Sequence, residues 1–194
     1  MTWLILGLVL FIGTHSVRIV ADDWRTRVRQ SMGAGPYKGI YSVLTVLGFV
    51  LMVWGYGQAR QDSALLWAAP IGMYHATATL MLISMVLLAG FHAKRSAISV
   101  KLRHPMLWSV VMLCVAHLMV NGRVADLVLF GSLGVWAVAD LVSCYWRDVA
   151  LGTTYPQPTT RATVINVVAG LVFYAVFAFW LHEPLIGVRP IFSA

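Results

Sequence analysis

The run Arg103 to His117, RHPMLWSVVMLCVAH, holds the groups of this chain best suited to chemistry. It opens with two basic side chains and a proline, runs apolar through Met106–Met112, and closes on Cys114-x-x-His117. Three residues apart on a helix, Cys114 and His117 share a face. A thiol and an imidazole both bind transition metals and haem iron. In an apolar helix such groups are costly unless something inside the bundle uses them. The other reading of His117 is a core histidine bonded to a nearby carbonyl, and free cysteine is also an ordinary small core residue.

Two further histidines compete for the same chemistry. His15 stands among Gly13, Thr14 and Ser16. Small neighbours leave room for a flat cofactor against the helix, or they permit close helix packing. His75 follows Tyr74 near the start of an apolar segment. Asp140 is placed to pair with Arg18, to orient His15 through a hydrogen bond, or to reach the headgroup layer from a helix end. His92 and His182 read as interfacial.

The elements that must position these residues are membrane helices. Hydrophobic residues make up 60% of the chain and mean hydropathy is +0.80. Charged residues make up 11%, less than half of the roughly 25% usual in soluble domains. Apolar stretches of about 20 residues recur, each enough to cross a hydrocarbon core of about 30 Å. The expected fold is an all-α polytopic transmembrane bundle, a single integral membrane domain over 1–194. About six spans are expected, at 2–21, 38–59, 70–91, 105–121, 124–146 and 162–182. Residues 1–21 lack a basic leader and a small-residue cleavage site, so they read as a retained span. Asp22 to Tyr37 is polar and arginine-bearing, as suits the headgroup layer. Residues 92–105 form a basic loop with room for a short surface helix.

Charge sets orientation. Eleven of the 14 Lys and Arg residues fall in or beside the first, third and fifth connections. These are Arg18, Arg25, Arg27, Arg29, Lys38, Lys94, Arg95, Lys101, Arg103, Arg147 and Arg161. Arg60, Arg123 and Arg189 fall on the other side. The positive-inside rule puts the basic connections in the cytoplasm of a bacterial inner membrane and both termini in the periplasm. The basic excess therefore belongs to topology and not to a nucleic-acid surface. Depth follows as well. His75 and His117 each lie a few residues from the outer face, while His15 lies near the inner one. At 1.5 Å per residue, His15 and His117 differ in depth by roughly 10 Å, so depth favours His75 as the companion of His117.

Other classes drop out. Cys114 and Cys144 both lie in apolar segments, which argues against a disulfide framework. No phosphate-cradling glycine loop, paired-carboxylate site or Ser–His–Asp pattern is compatible with the topology, and no catalytic residue is assigned.

Four segments together carry a resemblance: GTHSVR at 13–18, Tyr37-x-x-x-Tyr41-Ser42, Gly72-Met-Tyr-His75, and RHP with C-x-x-H over 103–117. They resemble the NnrU family of bacterial membrane proteins, which is similar to plant and cyanobacterial 15-cis-zeta-carotene isomerase. The resemblance covers roughly residues 1–146. It implies an integral membrane haem b protein with histidine axial ligands and a nearby cysteine linked to redox-dependent ligand exchange. On this chain His15 and His117 match the ligands and Cys114 the cysteine, and His75 and His104 match other family histidines. Arg18, Arg103 or Arg123 would pair the haem propionates as charge-assisted partners, with Asp140 orienting the site. NnrU proteins are associated with denitrification, in the production of active nitrite and nitric oxide reductases.

Two function classes follow. One is a b-type haem protein with redox or cis–trans isomerase-like chemistry on a hydrophobic molecule, or a nitrogen-oxide-linked role with a respiratory redox partner. The other is a non-catalytic assembly or maturation factor for respiratory nitrite and nitric oxide reductases. The topology is directly testable. Reporter fusions after Gly33, Ser99 and Thr154 should report cytoplasm, and fusions after Asp62 and Asn121 the opposite side. A cytoplasmic signal after Asp62 breaks the six-span arrangement.

Overall fold

The structure, a computed structural model, describes residues 1–188 and 190. Arg189, counted above on the outer side, lies outside the described residues. Among the described residues the chain is helical, with α1 Thr2–Val20, α2 Asp22–Met32, α3 Ala34–Asp62, α4 Ile71–Gly90, α5 Ala97–Leu102, α6 Pro105–Val120, α7 Val124–Ala150 and α8 Thr160–Ile186. Five of these, α1, α3, α4, α7 and α8, are long and apolar enough to cross a membrane. Helix α6 is apolar but has 16 residues, or about 24 Å of rise. The embedding is written on the outside of the helices. Val9, Val135 and Val149 are 66%, 74% and 77% exposed, an apolar surface that lipid covers at no cost.

The helix ends differ from the sequence expectation for local reasons. Helix α3 starts at Ala34, ahead of Pro36. Gly33, at φ +88°, ends α2, and a proline is tolerated in a first turn that has no N–H bond to lose. Helix α7 runs on to Ala150. Arg147 bonds the Ser143 hydroxyl and reaches Asp140 at 3.4 Å along one helix face. Gly152 at φ +58° then turns the chain, and the Thr153 N–H donates to the Asp148 carbonyl at 2.9 Å. The surface helix expected in the basic loop is α5, capped by Ser96. Two turns have π geometry, Leu127–Gly131 in α7 and Phe177–Leu181 in α8.

The described residues form two compact units. The first comprises residues 1–66 and 123–136. Here α1 and α3 pack backbone to backbone through glycines. A Cβ added at Gly7 would overlap the backbone of Met52, and one at Gly55 the backbone of Trp3 and Leu4. At Gly48 it would lie 2.7 Å from the Phe11 nitrogen. Gly13, suggested by sequence as a packing or cofactor position, has nothing within 4 Å of such a Cβ. The start of α7 is tied in by Asp126, which is 1% exposed. Its carboxylate accepts from the Tyr56 hydroxyl at 2.6 Å and from the Arg123 N–H at 2.8 Å.

The second unit comprises 67–122 and the described residues from 137 onward. Helix α4 packs against α6 and α8. Ser84 donates to the Ser109 carbonyl at 2.9 Å, and Thr77 to the Ala116 carbonyl at 3.1 Å. Gly170 of α8 rides directly on Val86 of α4. Antiparallel pairing of this kind gathers the start of α4 and the ends of α6 and α8 at one end of the unit.

The glycine contacts generate a stability prediction. Gly55→Ala should force α1 from α3 and cost about 1–3 kcal/mol, seen as earlier thermal unfolding in detergent. Gly57→Ala, where an added Cβ meets nothing within 4 Å, should be neutral or stabilising, because alanine favours a helix by about 1 kcal/mol. Equal melting of the two variants would show that the contact does not hold the helices.

Candidate functional site

His117 lies in the last turn of α6. Its Nδ1 is 2.9 Å from the Leu113 carbonyl. A carbonyl only accepts, so Nδ1 carries the proton and the lone pair lies on Nε2. The turn is held from below by Asn121, whose backbone N–H and side-chain amide both donate to the His117 carbonyl, at 2.8 and 3.1 Å. This is the tautomer in which an imidazole binds a metal, with the second N–H fixed by a backbone oxygen.

His117 forms part of the wall of a half-open cavity in the second unit. Tyr74, Thr77, Ala78, Met81 and Met85 of α4 line one side, Val120 and Asn121 follow His117, and Tyr174, Phe177, Ala178 and His182 of α8 line another. Val188 and Pro190 complete it. Flat and flexible apolar side chains make the body, and two phenols, an amide and two imidazoles supply the polar points. That donor set fits a flat macrocycle with a histidine-bound metal.

The other sequence candidates fall in different places. His75 is exposed and does not line the cavity; its neighbour Tyr74 does. Cys114 is 2% exposed, one turn before His117, and does not line the cavity either. His182, read from sequence as interfacial, does. His15 belongs to the first unit. Its Nδ1 donates to the Phe11 carbonyl at 2.7 Å, giving the same tautomer as His117. Its ring lies against Phe11 at 4.3 Å and meets Tyr41 and Trp136 edge-on at 5.5 and 5.6 Å. Trp136 Nε1 is buried with no hydrogen-bond partner within the described chain. Among the described residues no three His, Cys, Asp or Glu side chains converge as a metal-binding group.

The arginines and Asp140 have local partners. Arg18 lies 4.0 Å from Asp22. Arg123 donates to the Ser63 carbonyl at 2.8 Å. Asp140 pairs with Arg147. Arg103, at φ +61°, holds its guanidinium over the Tyr155 and Tyr145 rings at 5.6 and 6.0 Å. A side chain in that backbone region is strained, and the cation–π contacts help offset it. His104 Nε2 lies 2.8 Å from Asp148, which also accepts from the Tyr155 hydroxyl. Sequence reasoning reached R, H and P of this motif but not the tyrosines, which come from α7 and the following loop.

This network has a pH signature. Burial first, and then the hydrogen bond to the Asp148 carboxylate, push the Tyr155 phenol up to about 12. The protonated phenol is the form the fold favours. Its stabilising contribution is therefore complete below the ordinary value of about 10 and is lost as pH rises from there through about 12. In alkaline titration, Tyr155→Phe should remove a phenolate step at about 12. Loss of an ordinary step instead would show that the bond to Asp148 does not form.

A model of the family described as NnrU protein matches residues 3–190. No curated protein and no solved structure matches the chain. The family match runs through both units and takes in His15, His75, Cys114, His117 and His182 alike. This chain belongs to the NnrU protein family.

Proposed function

We propose that this membrane protein binds a b-type haem, with His117 as an axial ligand facing the cavity of the second unit. One observation carries the reading. The His117 imidazole is fixed by the Leu113 carbonyl in a tautomer that leaves Nε2 as the lone-pair end, on the wall of a cavity lined mainly by apolar and aromatic side chains. Met81, Met85, Phe177 and Tyr174 would pack the macrocycle, and Tyr74 and Asn121 would meet its polar edge. His15, the other histidine the resemblance matches to a ligand, belongs to the first unit and is held in the same tautomer.

When bound, the haem supplies one-electron redox chemistry. The chain's own residues would set its terms: the Leu113 carbonyl would raise the basicity of His117, and the mostly apolar lining would limit the water around it. The reaction that fits is redox or isomerase-like chemistry on a hydrophobic molecule reaching the site from the bilayer, or a nitrogen-oxide-linked role beside a respiratory redox partner. The basic connections support a bacterial inner-membrane location and a six-span arrangement in which α6 is the short span.

Protein purified from haem-replete cells should be coloured, with a Soret band. His117→Ala should weaken haem affinity by on the order of 100-fold or more, since loss of an outer-shell partner alone costs about 10–100-fold. A colourless wild-type preparation would sink the haem reading and leave the maturation-factor role. Wild-type haem content in His117→Ala would remove His117 from the site.

A further inference from the structure

Haem iron held by one histidine commonly takes a second axial donor, and the cavity itself offers one that the resemblance does not assign. His182 lies five residues beyond Phe177, and the two rings meet edge-on at 5.7 Å. In an α-helix, side chains five apart point roughly 140° away from each other. They meet here because the helix widens into a π turn over Phe177–Leu181, a distortion frequent at functional sites. Phe177 and His182 both line the cavity that His117 lines.

The His182 ring is also fixed. Its Nδ1 donates to the Val188 carbonyl at 2.7 Å. That carbonyl is brought round by Gly187 at φ +79°, where the Gly187 N–H donates to the Glu183 carbonyl at 2.7 Å. The lone pair of His182 therefore lies on Nε2, as it does for His117. The two imidazoles reach the same state by different anchors, one within its own helix and one from the turn beyond it. Neither His75 nor Cys114 lines this cavity.

We propose that His182 is the second axial imidazole of the haem held by His117. This rests on the haem reading above. It predicts bis-imidazole iron within the second unit, with His15 serving its aromatic surroundings in the first unit and not this iron.

The full chain in detergent, loaded with hemin, tests it by visible and electron paramagnetic resonance spectra. The wild type should be low-spin. His182→Ala should keep its haem but turn high-spin, and imidazole added to the buffer should restore the low-spin form. His182→Met should stay low-spin with a raised reduction potential, as methionine–histidine ligation gives. It also provides a six-coordinate variant should the alanine protein fold poorly. A low-spin His182→Ala spectrum identical to wild type overturns the proposal. So does a high-spin wild type, or conversion to high spin by His15→Ala with imidazole rescue. A wild type that takes up no hemin overturns the haem reading itself, whereas a coloured wild type with an indifferent His182 overturns this inference alone.

Discussion

Polar groups carried into apolar helices must find their partners within the chain, because lipid offers none. That constraint organises both units. Thr14 returns its hydroxyl to the carbonyls of Leu10 and Phe11. Ser84 and Ser109 satisfy each other across α4 and α6. Asp126, almost wholly buried, collects the Tyr56 hydroxyl and a backbone N–H at the start of its own helix. For histidine the same rule has a chemical result. Committing Nδ1 to a carbonyl satisfies one end of the ring and leaves Nε2 as its lone-pair end.

The constraint has exceptions. Asn166 is 1% exposed, and neither end of its amide has a partner among the described residues. Buried unpaired amides are costly, by about 1–3 kcal/mol on mutational scales. The close seat of Gly170 on Val86, one turn along the same helix, gives α8 the packing that holds Asn166 in place.

Much of the fold was legible in sequence. Hydropathy located every apolar helix to within a few residues, and Pro105 marked a true end. What remained hidden was angular. Placing the start of α4 beside the end of α6 was sound, but the residue turned into the cavity is Tyr74, and His75, about 100° further round the helix, faces away. His182 was missed because a helix-end histidine before Glu-Pro looks interfacial, and no periodicity argument anticipates a π turn. Gly13 drew attention beside His15, yet the close approach of α1 and α3 uses Gly7. Only the partner helix decides which small residue is needed.

The first unit is discontinuous in sequence, and that bears on how it is made. Helices α1 and α3 are neighbours along the chain and can pair through Gly7, Gly48 and Gly55 as soon as both have left the ribosome. His15 then has Phe11 and Tyr41 beside it. Its third aromatic neighbour, Trp136, and the carboxylate that receives the Tyr56 hydroxyl belong to α7. More of the chain, residues 67–122 of the other unit, must be synthesised and inserted before these arrive. Until then the Tyr56 hydroxyl lacks the carboxylate that receives it in the folded chain. The N-terminal pair therefore waits as an incomplete half during biogenesis, and the strand of events that finishes the His15 surroundings runs through the synthesis of the helices that carry His117.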